Sequence, residues 1–212
     1  SLGRVMLSKG DYAAAAEAFR RSNAARADDP LPLEALAKSL EAAGKTGEAV
    51  ALLKGELDDE QNQLLARFLL GGIYGRQGDK ASAEQYFEDV VKAKPDAVLG
   101  YVSLAAVYEQ DPAARIRVYR RGLEAIPGNP ELSMLLGSEL ERGGDTEGAI
   151  KVYEALLAKN PEFEPGVNNL AALLLDYRKD DPKSLARALE LARPLGRSEN
   201  PAILDTVGWA HY

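Results

Sequence analysis

Apolar residues recur every three or four positions along most of the chain, which is the spacing typical of amphipathic α-helices. One such stretch covers residues 64–76 and a second covers 80–93, with Gly78 and Asp79 between them. Glycine favours the end of a helix and aspartate favours the start of the next, so this pattern predicts two helices joined by a tight turn. Pro95 closes the second helix because proline cannot continue it.

This two-helix pattern repeats along the chain with a period of 34 residues. A leucine followed by a small residue marks each copy, at Leu2-Gly3, Leu36-Ala37, Leu70-Gly71, Leu104-Ala105, Leu136-Gly137 and Leu170-Ala171, with a variant at Val207-Gly208. Three further columns recur at Gly10, Gly44 and Gly78, at Ala15, Ala49 and Ala83, and at Phe19, Leu53 and Phe87. Because one helix pair cannot bury its own apolar face, neighbouring pairs must stack on one another.

These columns resemble the tetratricopeptide repeat, a helix pair of 34 residues. The best match carries Leu70, Gly71, Tyr74, Gly78, Asp79, Ala83, Phe87 and Pro95, and a second good match carries Leu136, Gly137, Gly144, Asp145, Ala149, Tyr153 and Pro161. The resemblance covers essentially the whole chain. It implies an all-α fold, a right-handed superhelical solenoid of about six helix pairs with an extra terminal helix.

We therefore expect a single domain over residues 1–212, cut at both ends from a longer bacterial repeat array. The expected repeats are 1–29, 30–63, 64–96, 97–129, 130–162 and 163–200, followed by a partial repeat over 201–212. The fourth repeat is two residues short, and we place the deletion at 110–112. Arg115 stands near its expected alanine, so local irregularity is predicted there. An insertion is predicted at 176–182.

Composition removes several functional classes. The chain has 212 residues and a net charge of −7, which disfavours a nucleic-acid partner because phosphate binding needs a basic face. Without cysteine it has no disulfide, thiolate zinc site or cysteine nucleophile, and one histidine cannot build a multi-histidine metal site. No apolar run approaches the roughly 20 residues of a membrane helix, so we expect no direct membrane insertion, no metal and no cofactor.

The remaining candidates for chemistry fit the repeat better than a catalytic site. The glycines at 71, 72, 75 and 78 lie in a helical pattern rather than between a strand and a helix, so they do not indicate a phosphate loop. His211 falls near a tyrosine column and is expected to pack. The acidic clusters at 28–29, 58–60 and 180–181 lie at predicted turns, where aspartate caps helices. We expect no enzyme activity.

In the tetratricopeptide repeat family, the first helix of each pair lines a concave groove that holds peptides or protein segments. Projecting the inward positions onto this chain gives a set of candidate partner-binding residues: Glu34, Lys38, Phe68, Leu69, Gly72, Val102, Ser103, Ala106, Met134, Ser138, Asn168, Asn169 and Asp205. The set is apolar in its middle, although some apolar members, such as Leu69, could equally be core. Asn168 and Asn169 could hydrogen-bond the backbone of an extended ligand. The lysine and asparagine pattern of the subclass that clamps chaperone C-termini is missing.

The resemblance thus implies a non-catalytic scaffold that binds a protein or peptide in its groove. Two alternatives stay open: an arm of a bacterial envelope or exopolysaccharide-export assembly factor, and a regulatory arm of a larger enzyme such as a glycosyltransferase. The exposed faces of the terminal helices could self-associate. The sequence does not separate a cytoplasmic from a periplasmic or outer-membrane-associated location.

Overall fold

The computed structural model describes residues 2–25, 30–178 and 180–195, together with Thr206 and Gly208. The described residues contain twelve α-helices and no strand. The chain forms two compact units, Ser1–Val107 and Tyr108–Tyr212, which we call unit 1 and unit 2. The boundary between them falls inside the predicted repeat 97–129. The expectation of a single domain stays a prediction.

The two helices predicted at 64–76 and 80–93 are found at Gln63–Arg76 and Lys80–Ala93. In unit 1 the helices are α1 Leu2–Ser8, α2 Tyr12–Ala25, α3 Pro30–Ala42, α4 Thr46–Gly55, α5 Gln63–Arg76, α6 Lys80–Ala93 and α7 Val98–Val107. In unit 2 they are α8 Pro112–Ala125, α9 Pro130–Arg142, α10 Thr146–Lys159, α11 Glu164–Tyr177 and α12 Pro182–Leu195. Within each unit, every helix packs against the next one along the chain.

The turn inside a helix pair is built as the glycine-aspartate sequence predicts. Gly78 has φ +79°, a left-handed conformation that ends α5 and that glycine adopts without steric cost. The side chain of Asp79 then accepts a hydrogen bond from the Ser82 amide at 3.1 Å and so caps α6. The glycines at 10, 44 and 144 repeat the same conformation.

Small residues allow the two helices of a pair to approach closely. A Cβ atom added to Gly71 would lie 2.8 Å from the ring of Phe87, and one added to Gly137 would lie 2.3 Å from the ring of Tyr153. Ala49 is fully buried, as its column predicts. The aromatic rings therefore occupy space that is free only because glycine carries no side chain.

The fourth repeat departs from this plan around the deletion predicted at 110–112. Helix α7 ends at Val107, three residues after Leu104, whereas α5 runs six residues past Leu70. Tyr108 follows Tyr74 by 34 residues, whereas Asp111 follows Asp79 by only 32, so the two residues are lost between Tyr108 and Asp111. Asp111 still caps α8 by accepting from the Ala114 amide at 2.9 Å. Asp111 is followed four residues later by Arg115 in the alanine column.

Candidate functional site

The first helix of each pair carries one side that is less buried than the rest of the helix, although Ala35, Leu65 and Leu69 on it also pack against the core. Residues spaced i, i+3, i+4 and i+7 lie on the same side of a helix. On α3, α5, α7, α9 and α11 these positions are partly or fully exposed, whereas the residues between them are mostly buried. We call this side the A-helix face. Its members are Glu34, Ala35 and Lys38; Leu65, Phe68, Leu69 and Gly72; Leu99, Val102, Ser103 and Ala106; Glu131, Met134, Leu135 and Ser138; and Pro165, Asn168, Asn169 and Ala172.

The candidate binding residues named from the sequence lie on these faces, with one exception. Asp205 lies outside the described residues, as do His211 and the aromatic neighbour Trp209. The structure also places Leu65, Leu99, Glu131 and Pro165 on these faces, and the sequence analysis did not predict them. Stepping back three positions from Val102 along the helical period would have found Leu99.

In unit 1 the faces of three helices lie side by side, because α5 contacts both α3 and α7. Phe68 sits on this surface with its ring edge-on to Phe87, the ring centres being 5.7 Å apart. Leu99, one helix further along, exposes 59% of its surface. Helix α7 contains no charged residue from its first position to its last.

The charges at the α3 side of this surface are matched within unit 1. Lys38 Nζ lies 2.6 Å from Glu34 Oε1 on the same helix. Arg76, at the end of α5, reaches Glu41 of α3 with Nη2 2.7 Å and 2.8 Å from the two carboxylate oxygens. The second pair is bidentate and joins two neighbouring first helices of unit 1.

Gly72 adds no side chain to the A-helix face of α5. An added Cβ would lie 3.3 Å from Nη1 of Arg76, so the glycine leaves room for the guanidinium to lie along the helix surface. The following Gly75, one turn on, also carries no side chain. Beyond Phe68 the α5 surface therefore carries the Arg76 guanidinium, and a Cβ at Gly75 would lie 3.9 Å from Ala83 of the neighbouring α6.

The A-helix faces of unit 2 are more polar than those of unit 1. A series of hydrogen bonds between side chains supports the face of α11. The Tyr153 hydroxyl on α10 donates to Glu141 Oε1 of α9 at 2.6 Å and accepts from Nδ2 of Asn169 on α11 at 3.2 Å. Burial, together with the hydrogen bond to Glu141, raises the pKa of Tyr153 above its ordinary value. Tyr153 thus stays protonated and links three helices.

The hydrogen bonds of Tyr153 fix the orientation of the side-chain amides on α11. Because the Asn169 amide nitrogen faces Tyr153, its oxygen Oδ1 accepts from Nδ2 of the neighbouring Asn168 at a long 3.4 Å. The oxygen Oδ1 of Asn168 is buried and has no hydrogen-bond partner. An unpaired buried carbonyl is unfavourable, so rotation of the Asn168 side chain toward a donor would lower the free energy.

A buried ion pair lies behind the α9 face. Arg115 of α8 contacts Glu139 of α9 through two hydrogen bonds, Nε to Oε1 at 3.1 Å and Nη2 to Oε2 at 2.9 Å. The two side chains are only 12% and 10% exposed. The Arg115 hydrogen bonds hold the pKa of Glu139 below its ordinary value. Arg115 also donates to the carbonyl oxygens of Tyr108 and Glu109, in the turn that follows α7.

The described residues hold no group of three or more histidine, cysteine, aspartate or glutamate side chains placed to bind a metal ion. Within the same part of the chain, no helix is both long enough and apolar enough to cross a bilayer.

A sequence profile of the tetratricopeptide repeat family matches residues 34–98 and 103–164, which is more than half of the chain. The chain belongs to the tetratricopeptide repeat family. Members of this family are generally non-catalytic scaffolds that bind peptide or protein partners. The all-α repeat fold expected from the columns is thereby confirmed.

Solved tetratricopeptide repeat structures share this fold. The C-terminal part of a repeat protein from Cytophaga hutchinsonii is 14% identical with a TM-score of 0.57, and the match covers 97% of this chain and 98% of that one. MamA is 21% identical with a TM-score of 0.54, over 76% and 96%. YrrB, described as a TPR protein with an unusual peptide-binding site, is 18% identical with a TM-score of 0.51, over 90% and 97%. A search of curated protein sequences finds no match.

Proposed function

We propose that this chain is a protein–protein interaction scaffold that binds a peptide segment of a partner on its A-helix faces. One observation carries the proposal: on α5, α7, α9 and α11 the same four positions are partly or fully exposed, and on α3 the described three of them are as well. Ala35, Leu65 and Leu69 also pack against the core, and the rest of the face offers the contacts. YrrB, a protein of this fold, has a peptide-binding site by its own description.

Binding would draw on two kinds of contact. The α5 and α7 faces offer apolar side chains, Phe68 and Leu99 among them, whose burial against a partner is favourable. The α11 face offers the amides of Asn168 and Asn169, which can pair with a peptide backbone. A micromolar complex corresponds to about −8 kcal/mol, which a few such contacts supply.

The same proposal makes the chain non-catalytic. The carboxylates whose pKa is lowered have structural explanations. Ser82 donates to Asp79 and Ser184 to Asp181. Lys45, Arg115 and Arg178 hold the pKa of Glu48, Glu139 and Glu147 down, respectively. These groups cap helices or form ion pairs and are not arranged around a shared cleft. Two alternatives keep this binding role: an arm of an envelope or exopolysaccharide-export assembly factor, and a regulatory arm of a larger enzyme. They differ in the larger protein or assembly to which the chain would belong.

A double substitution tests the proposal. A display library of random peptides is selected on the 212-residue chain, and the enriched peptides are measured against Phe68→Ala/Met134→Ala. We expect affinity to fall at least tenfold, because one apolar contact is lost from the faces of each unit. Fluorescence anisotropy measures the affinity, and circular dichroism checks that helicity is unchanged.

The matched control is Tyr12→Ala/Leu185→Ala. It also removes one aromatic and one aliphatic side chain that are partly exposed, one in each unit, but both lie on second helices. This control should bind the peptides as wild type does. Enriched peptides that bind the Phe68→Ala/Met134→Ala chain as tightly as wild type, or a selection that enriches none, would refute the proposal.

A further inference from the structure

The hydrogen bonds that support the α11 face all run in one direction. A carboxylate only accepts hydrogen bonds, so Glu141 takes the single proton of the Tyr153 hydroxyl over 2.6 Å. The hydroxyl oxygen can then only accept, and Asn169 must approach it with Nδ2, at 3.2 Å. Oδ1 of Asn169 consequently faces Asn168, whose Nδ2 is 3.4 Å away. We call these four residues the α11 series, in which each hydrogen bond fixes the direction of the next.

The α11 series ends on an oxygen that lacks a donor. Oδ1 of Asn168 is buried, and none of the residues that the structure describes donates to it. Turning the amide over would not help, because it would bring the carbonyl oxygens of Asn168 and Asn169 together. A small shift that uncovers Oδ1 weakens only the 3.4 Å contact, which is longer than an ordinary hydrogen bond. An incoming N–H group would therefore satisfy this oxygen at little cost.

The repeat does not need this series in order to stack. Phe87 stands in the same column as Tyr153 and has no hydroxyl, yet its ring also packs against a glycine of the preceding helix. Around Phe87, a glycine and a serine take the positions that Glu141 and Asn169 hold around Tyr153. The hydroxyl and both of its partners are thus additions to a contact that forms without them. What they reach is the partly exposed pair of amides on the A-helix face of α11.

Building on the scaffold role proposed above, we infer that the partner segment donates an N–H group to Oδ1 of Asn168, and that Tyr153 is the positioning residue that sets this polarity. The donor is a main-chain amide or the side chain of a lysine or arginine, and the experiment separates these two sources. A partner carbonyl in the same place would meet an oxygen and leave both groups unpaired, which is unfavourable. The α11 face thus selects for a donor.

The first test changes the partner. Peptides are selected on the 212-residue chain from the same display library, and the tightest is resynthesised with each main-chain N–H methylated in turn. Further copies replace each lysine or arginine by norleucine. One of these changes should lower affinity for wild type about tenfold, because it leaves Oδ1 of Asn168 unpaired. On Asn168→Leu the same change should cost less than about twofold, because the acceptor is already gone.

The second test changes the acceptor. Asn168→Leu keeps the size of the side chain and removes its oxygen, so affinity should fall about tenfold. Asn168→Asp keeps the acceptor and removes only the amide N–H groups, so it should bind within about threefold of wild type. Fluorescence anisotropy is measured at about 500 mM salt, where the added charge contributes little.

The third test changes the positioning residue. Tyr153→Phe frees the Asn169 amide to turn over, so affinity should fall about fivefold. Glu141→Ala should have the same effect, because the hydroxyl proton can then be donated to Asn169, whereas Glu141→Gln still accepts that proton and should bind like wild type. Tyr119→Phe is the matched control: it stands in the same column on α8, where Leu135 replaces the asparagine, and it should bind like wild type. Circular dichroism and the midpoint of thermal unfolding verify that all variants are folded.

The outcomes separate this inference from the scaffold role. Asn168→Asp that binds as weakly as Asn168→Leu overturns the donor requirement, as do peptide changes that cost the same on wild type and on Asn168→Leu. Tyr153→Phe and Glu141→Ala chains that bind like wild type overturn the positioning role. Asn168→Leu that binds like wild type overturns the whole inference, while a loss of affinity in Phe68→Ala/Met134→Ala would still support the scaffold. Failure to enrich any peptide overturns both.

Discussion

Tyr153 joins three helices of unit 2 through one hydroxyl group. Its ring fills the space left by the missing side chain of Gly137, and its hydroxyl connects Glu141 with Asn169. Two separate requirements therefore meet in one residue: the ring needs glycine opposite it, and the amide on the α11 face needs the hydroxyl behind it. Phenylalanine at this position would satisfy the first requirement and not the second.

Gly137→Ala should destabilise the protein by about 3 kcal/mol. The new Cβ would lie 2.3 Å from Tyr153 Cζ, and Tyr153 is fully buried and cannot move aside. Gly47→Ala is the control, since nothing lies within 4 Å of its Cβ position in α4. It should stabilise the chain by about 0.5–1 kcal/mol, because alanine favours helix. Urea unfolding followed by circular dichroism measures both; equal effects would contradict this account of the helix contact.

The sequence predicts a column of equivalent residues where the same backbone conformation or helix cap recurs in each repeat and few residue types suit it. Gly78 and Asp79 predict a turn. Few residues adopt a positive φ as readily as glycine, and few cap a helix as well as aspartate. The link from Asn169 to Tyr153 was not predictable, because it joins residues 16 positions apart on two helices. Leu99 was missed for a simpler reason: the inward positions were counted too close to the Leu-small pair.

At the scale of an element, α7 and α8 show how the fold absorbs a deletion. Helix α7 is shortened, and Arg115 takes the column that alanine holds elsewhere. The guanidinium donates to the carbonyl of Tyr108 at 3.1 Å in the following turn and pairs with Glu139. The sequence predicted an irregularity from the count of residues. It could not assign the partner of Arg115, which lies 24 positions away on another helix.

Arg115→Ala should cost about 3 kcal/mol, because it leaves Glu139 buried beside the more exposed Arg142 alone. Arg115→Met combined with Glu139→Leu should recover most of that loss, since well-packed apolar residues commonly replace a buried ion pair without penalty. Urea unfolding of the three chains provides the comparison. A double variant no more stable than Arg115→Ala would show that the carbonyl contacts, and not the ion pair, dominate.

The lowered pKa of Glu139 gives stability a defined pH dependence. The unfolded chain takes up this proton at a higher pH than the folded chain does. The contribution is therefore complete above the ordinary glutamate pKa of about 4.3 and is lost as pH falls through the lower folded value. The stability difference between wild type and Glu139→Gln should shrink from pH 7 toward pH 3. A difference that stays constant over this range would contradict the assignment.

At the scale of the whole molecule, charge decides which partners are accessible. The chain carries 33 acidic and 26 basic residues, a net charge of −7. We expect no binding to a 20-base-pair DNA duplex or an RNA hairpin at about 150 mM salt, because backbone phosphates repel such a surface. Fluorescence anisotropy of labelled nucleic acid measures this, and micromolar binding would contradict it.

The Arg115–Glu139 pair also limits how far the repeats are interchangeable. A repeat of ordinary composition, grafted into the place of 97–129, would bring alanine to the position of Arg115. It would leave the largely buried carboxylate of Glu139 with only the exposed Arg142 as a partner. Exchange of a repeat at this point would therefore keep the protein stable only when α8 and α9 are transferred together. In this protein the smallest exchangeable module around that point is larger than one repeat.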